Sequence, residues 1–182
     1  LLTAGHVIKA TRLSVSARRS ARQAERDEQA RRQELEEARS RAYAAGQDIG
    51  GSLHALCFNL DFAPVADVAQ GADSVIGSRS FGSDPELCAS LAGVIVKSLR
   101  AEGIVSCLKH FPGYGNNADT HTGIALDARP YTTFEQSDLV PFESGIAAGA
   151  PFVLVSHNIV ECMDGAYPAS LSAKVHTCLL YT

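Results

Sequence analysis

Ile104-Val105-Ser106-Cys107-Leu108 runs directly into Lys109-His110-Phe111-Pro112-Gly113-Tyr114-Gly115-Asn116-Asn117-Ala118-Asp119-Thr120-His121. The five apolar-rich residues read as a short buried strand. Pro, two Gly and two Asn then turn the chain out of the strand and into a loop. That loop holds a cation, two imidazoles and a carboxylate. A strand that empties into a polar, Gly-rich loop is how α/β proteins present chemistry at the carboxyl edge of a sheet. The rest of the chain is read by its relation to this stretch.

Upstream, Cys57-Phe58-Asn59-Leu60-Asp61-Phe62-Ala63-Pro64-Val65 reads as another buried strand, with Pro at its exit and Asp67 just beyond. Residues 70–84 form a loop of small residues around Arg79. Asp84 is placed as an N-cap and Pro85 at the first helical position. The helix they begin buries Leu87, Leu91, Val94, Ile95 and Leu99 on one face and is capped by Gly103. Downstream, residues 123–129 are irregular. Residues 133–149 read as a helix with Phe134, Leu139, Phe142, Ile146 and Ala147 on its apolar side. Phe152-Val153-Leu154-Val155 is the third strand and ends in Ser156-His157-Asn158. A last helix begins at residues 168–172. Crossovers of about 45 residues, each carrying a helix, require a parallel sheet. Every strand sets polar residues at its carboxyl end: Asp67, then Lys109 and His110, then His157 and Asn158. That regularity suits a (β/α) barrel better than an open sheet.

The N-terminal part differs. More than half of the chain's 16 Lys and Arg residues lie between Arg12 and Arg41, interleaved with Glu and Asp and free of Pro and Gly. Good helix formers with Glu28–Arg31 and Glu28–Arg32 pairs predict a long, charged, exposed helix over residues 11–45, ended by Gly46, Gly50 and Gly51. Acids nearly balance bases there, which favours a solvated helix covering a sheet over a nucleic-acid arm. The net charge of −4 also argues against a nucleic-acid binder. No apolar run approaches the ~20 residues of a membrane span. There is no initiator Met and no signal-peptide pattern, so the sequence is expected to be a fragment; cytoplasm is the default compartment, with an extracellular or lipoprotein parent left open. Five cysteines without a CxxC pair are expected to be mainly buried free thiols, not nucleophiles.

The residues themselves leave several chemistries open. Lys109 suits sugar hydroxyls or a carboxylate. Asp119 and His121 form an Asp-x-His pair able to act as a general acid/base. The same atoms, with His110 or His157, could instead ligate a metal. A third reading is a non-catalytic carbohydrate-binding module. No G-x-S-x-G or G-x-G-x-x-G element supports a Ser nucleophile or a phosphate cradle.

Lys109-His110-Phe111-Pro112-Gly113 followed by Asp119-Thr120-His121 resembles the active-site loop of glycoside hydrolase family 3, in its bacterial β-N-acetylglucosaminidase (β-hexosaminidase) branch. Asn59-Leu60-Asp61-Phe62-Ala63-Pro64-Val65-Ala66-Asp67 and Ile76-Gly77-Ser78-Arg79-Ser80-Phe81 match two further family segments in order, and the likeness covers about residues 42–176. The resemblance implies an α/β fold of (β/α)8 TIM-barrel type, incomplete here, with about three of eight strands. Residues 1–45 would be the charged helix and 46–182 the partial barrel. It implies a retaining hydrolase that removes terminal β-linked N-acetylglucosamine from peptidoglycan or chitin-type substrates through a glycosyl-enzyme. His121 would be the acid/base and Asp119 its orienting partner. Arg79, Lys109 and His110 would bind the sugar hydroxyls. No cofactor and no metal are implied, the partner is the carbohydrate substrate, and oligomeric state is not specified. The family's rival within the fold is a β-glucosidase, against which Asp119-Thr120-His121 argues. Tyr114 stands where the family often has His. The family's Asp nucleophile, in a later S-D-D or T-D-D strand, does not occur in the chain, so the fragment is expected to be inactive by itself.

Overall fold

The computed structural model describes residues 4–69, 75–115, 117 and 123–181. Its centre is a parallel sheet of β1 (Leu60–Asp61), β2 (Val105–Phe111) and β4 (Phe152–Val155), in the spatial order β1-β2-β4. These are the three strands expected from the apolar runs. β1 is shorter than its run because the chain turns at Leu56 and Cys57, where Cys57 has φ 62°. Beyond Asp61 the chain keeps beside β2 through single bonds: Cys107 N–H donates to Ala63 O, and Ala66 N–H to Lys109 O. Pro64 has no N–H to extend a regular ladder. A second, two-stranded parallel sheet joins β3 (Leu126–Asp127) to β5 (Ile159–Val160). It lies in part within the stretch read as irregular, because two-residue strands carry no periodicity.

α2 (Pro85–Ala101) begins as expected, with Asp84 Oδ1 accepting from the N–H groups of Glu86 and Leu87. Gly103, at φ +77°, follows its end. The single helix expected over residues 133–149 is instead broken. α3 (Tyr131–Thr133) passes into a π-turn at Phe134–Asp138, closed by Leu139 N–H to Phe134 O, and α4 (Val140–Ala147) follows. Pro141 cannot donate to an earlier carbonyl, so it is tolerated only where a new helix starts. α5 (Glu161–Asp164) and α6 (Ala173–Tyr181) complete the described chain.

α1 (Ala4–Ala55) overruns its expected end at Gly46. The glycines there are contact residues, not stops. A Cβ at Gly46 would overlap Ser98 Oγ of α2, and one at Gly50 would lie 2.7 Å from Glu102 Cβ. Residues up to Ala38 and residues from Arg39 form separate compact units. In the first, Glu28 and Arg32 pair one turn apart, as expected from their spacing.

The core lies between the sheet and the helices. Leu108 and Phe111 of β2 pack with Val96, Phe134 and Phe142, all nearly inaccessible to solvent. Phe111 meets Phe142 edge-on, with ring centres 5.3 Å apart. Val153 and Val155 of β4 join this side, while Phe152 and Leu154 are exposed on the other. Strand alternation therefore puts Cys107 and Lys109, which pair in register with Phe152 and Leu154, on the face turned away from the helices. Cys88 and Cys107 are buried as expected; Cys57 and Cys162 are exposed, contrary to expectation, because they sit in a turn and a four-residue helix outside the core.

Candidate active site

β2 extends three residues past Leu108, so Lys109 and His110 lie within the strand and not beyond it. Lys109 pairs with Leu154 and Phe111 with Val155, which leaves His110 as an extra residue facing none on β4. This bulge releases His110 from the strict alternation of its neighbours. It allows Phe111 to stay in the core while His110 turns elsewhere. The peptides Lys109–His110, Phe111–Pro112 and Ala63–Pro64 are cis.

The group that receives His110 is Asp67. It is fully buried just past β1, 43 residues upstream. Its Oδ2 lies 2.7 Å from His110 Nδ1. Both of its oxygens also accept from His110 N–H at 3.2 Å, and Oδ1 accepts from Tyr114 N–H at 2.8 Å. One carboxylate thus ties β1, the bulge of β2 and the following turn together. The Tyr114 ring stands edge-on to the imidazole, 5.8 Å away. The sequence marks Asp67 only as a polar strand exit. Its contact with His110 depends on strand pairing, which no local spacing reports.

Arg79 sits in a 3₁₀ turn (Gly77–Arg79), exposed, with Nη2 donating to Val75 O at 3.4 Å. Its neighbour Ser80 donates from Oγ to Asp67 O at 2.6 Å, so this loop is fastened beside the Asp67 end of the sheet. No hydrogen bond joins Arg79 to Lys109 or His110 among the described residues. Asp119 and His121 lie outside the described residues, as does Asn116. At the exit of β4, His157 is exposed and its Nδ1 lies 2.6 Å from Ser170 Oγ, while Asn158 is buried and accepts from Ser156 Oγ.

A second charged cluster was missed in the sequence. Arg129 lies between two buried carboxylates, with Nη2 2.8 Å from Asp127 Oδ2 and Nη1 3.0 Å from Asp138 Oδ2. Its guanidinium stacks over Phe134 at 4.4 Å. The cluster touches the turn after β2. A Cβ at Gly113 would lie 2.5 Å from Asp138 Cβ, and one at Gly115 would lie 2.8 Å from Arg129 Nη2. Asn117 Nδ2 donates to both Asp127 Oδ2 and Tyr114 O. Three charges, two negative and one positive, share this site unequally. Burial opposes ionisation of Asp127, but hydrogen bonds from Arg129 and Asn117 outweigh it and hold its carboxyl below the ordinary value. Burial pushes Asp138 up to about 6, against the pull of Arg129 and with added repulsion from Asp127 and Asp67. Burial also raises the thiols of Cys88, to about 11, and Cys107, which removes both as nucleophiles at neutral pH.

Polar groups held at the carboxyl edge of a parallel α/β sheet, on a turn braced by buried charge, occupy the place where proteins of this architecture bind their ligands. The model of the glycosyl hydrolase family 3 N terminal domain matches residues 24–182, and the chain belongs to that family. A β-hexosaminidase of Xylella fastidiosa (strain M12) is 44% identical over 110 residues, 60% of this chain and 32% of its own length. One from Xanthomonas campestris pv. campestris (strain B100) is 42% identical over 140 residues, 76% of this chain and 42% of its own. The chain therefore spans well under half the length of these curated relatives. Among solved structures, a glycoside hydrolase family 3 β-N-acetylglucosaminidase from Paenibacillus sp. str. FPU-7 aligns with TM-score 0.75 and 33% identity, over 78% of this chain and 28% of that one. NagZ from Neisseria gonorrhoeae, in complex with N-trifluoroacetyl-D-glucosamine, aligns with TM-score 0.71 and 34% identity, over 76% and 40%.

Proposed function

We propose that this chain carries the sugar-binding and acid/base side of a retaining β-N-acetylglucosaminidase whose catalytic domain is a (β/α)8 barrel. In this reading residues 46–182 contribute about three of the eight strands. Arg79, Lys109 and His110 hydrogen-bond hydroxyls of a terminal β-linked N-acetylglucosamine, from peptidoglycan or chitin-type glycans. An Asp carboxylate attacks the anomeric carbon while the glycosidic oxygen leaves with a proton from His121. His121 then takes a proton from water, the water attacks the anomeric carbon, and the carboxylate departs. Asp119 orients His121 throughout. An imidazole in this role replaces one of the two carboxylates usual in retaining glycosidases. No S-D-D or T-D-D segment that would hold the nucleophile occurs in the 182 residues.

The observation that carries this reading is the placement of Lys109 and His110 at the carboxyl edge of the sheet, with His110 bonded to the buried Asp67. The printed names of the relatives support N-acetylglucosamine as the sugar. Titration of the 182-residue chain with N-acetylglucosamine, followed by NMR, tests it. Shift changes at Lys109 and His110 that glucose does not produce are expected. An absence of binding, or equal binding of glucose, refutes the assignment. The chain alone is expected to turn over aryl β-N-acetylglucosaminides slowly or not at all; clear turnover would show that its nucleophile is within these residues.

A further inference from the structure

We infer that Asp67 is a positioning residue that fixes His110 as its Nδ1–H tautomer, so that Nε2 is offered to a ligand hydroxyl as a hydrogen-bond acceptor. The ligand half of this inference rests on the sugar-binding reading above; the tautomer half does not. Asp67 is wholly buried, and the main-chain N–H groups of His110 and Tyr114 both donate to it. Both of its oxygens are thus already acceptors of main-chain N–H groups. The remaining contact, 2.7 Å from Oδ2 to His110 Nδ1, then requires the proton on Nδ1. The neutral ring is left with its lone pair on Nε2. That nitrogen has no hydrogen-bond partner among the described residues, and the side chain is 18% exposed. The edge-on Tyr114 ring and the bulge at His110 hold the imidazole in this orientation.

The consequence is a chemical filter. A group facing Nε2 must donate a proton, which a hydroxyl does and a fluorine, ketone, carboxylate or phosphate dianion does not. The adjacent Lys109 ammonium makes the opposite demand, since it only donates. A hydroxyl both donates and accepts, so it can satisfy either residue, and the pair suits a polyhydroxylated ligand.

Long-range ¹H–¹⁵N NMR of the imidazoles in the 182-residue chain reads the tautomer directly. The neutral ring of His110 should report a protonated Nδ1; a protonated Nε2 overturns the inference. Asp67→Asn keeps an oxygen for Tyr114 N–H and turns an amide donor toward Nδ1, so the ring should switch to Nε2–H. A folded variant that keeps Nδ1–H would remove Asp67 as the cause, and if the variant does not fold the wild-type spectrum decides alone. The ligand half is read with deoxy and deoxyfluoro N-acetylglucosamines. At one position the fluoro compound should bind about tenfold more weakly than the parent, the worth of one neutral hydrogen bond, and no better than the deoxy compound. Deoxyfluoro sugars that all bind as tightly as the parent overturn it. Failure of N-acetylglucosamine to bind at all would refute the sugar-binding reading, and the ligand half with it, while the tautomer spectrum would still decide the rest.

Discussion

Replacing Asp138 with Asn tests how buried charge is distributed beneath the turn that follows β2. Asp138 is fully buried, and its carboxyl is pushed by burial from 3.8 to about 6. A raised value means that the folded state holds the proton more tightly than the unfolded chain. The contribution of Asp138 to stability is therefore fully present below pH 3.8 and is lost as pH rises through about 6. At 1.36 kcal/mol per pH unit the loss is about 3 kcal/mol. Asn cannot titrate. It loses bonding to Arg129 at every pH, which is a constant offset, and Asp127, held below 3.8, titrates outside the window. Urea unfolding of wild type and Asp138→Asn at pH 4, 5, 6 and 7 isolates the effect, because other carboxylates cancel in the difference. Because part of the loss has already occurred at pH 4, the variant should be penalised about 2.4 kcal/mol more at pH 4 than at pH 7. A difference that stays flat, or that grows toward pH 7, would refute the view that Arg129 satisfies Asp127 and leaves Asp138 under-compensated.

Gly113→Ala should cost at least about 2 kcal/mol, because it combines φ +127° with a Cβ 2.5 Å from Asp138 Cβ, and it should weaken sugar binding through His110 and Tyr114. Gly123→Ala, with open space around its Cβ, should stay within about 0.5 kcal/mol, and thermal unfolding of both variants beside the wild type measures the two costs. Phe142→Ala removes the ring that meets Phe111 and should destabilise by about 3–5 kcal/mol, measured by urea titration. Iodoacetamide labelling mapped by mass spectrometry should modify Cys57 and Cys162 well before Cys88 and Cys107; early loss of Cys107 would show that the face carrying it is less enclosed than the structure has it.

Local chemistry made much of the frame legible. Asp84-Pro85 marked a helix start because both residues act within one turn, and the three apolar runs marked the parallel sheet because each is bounded by Pro or polar residues. The end of α1 was misread for the opposite reason. Gly46 and Gly50 look like stops along the chain, yet their meaning lies in Ser98 of α2 and Glu102 at its end, about 50 residues away. The break before Pro141 was written in the sequence but masked by an apolar spacing that runs through it. The site divides the same way. Lys109 and His110 stood out by position, whereas Asp67 gains its role only from the pairing of β1 with β2. Arg129 carried no signal at all, since a charged residue in an irregular stretch reads as surface until its two carboxylates are seen to fold over it.

Asp67 also binds the fate of the site to the alignment of the sheet. A slip of one residue between β1 and β2 would send its side chain to the other face, and His110 would lose its partner while most of the ladder survived. The arrangement makes the imidazole a reporter of strand alignment. A misaligned molecule could retain its helices, its compactness and its far-UV spectrum, and still be recognised by the wrong proton on a single ring.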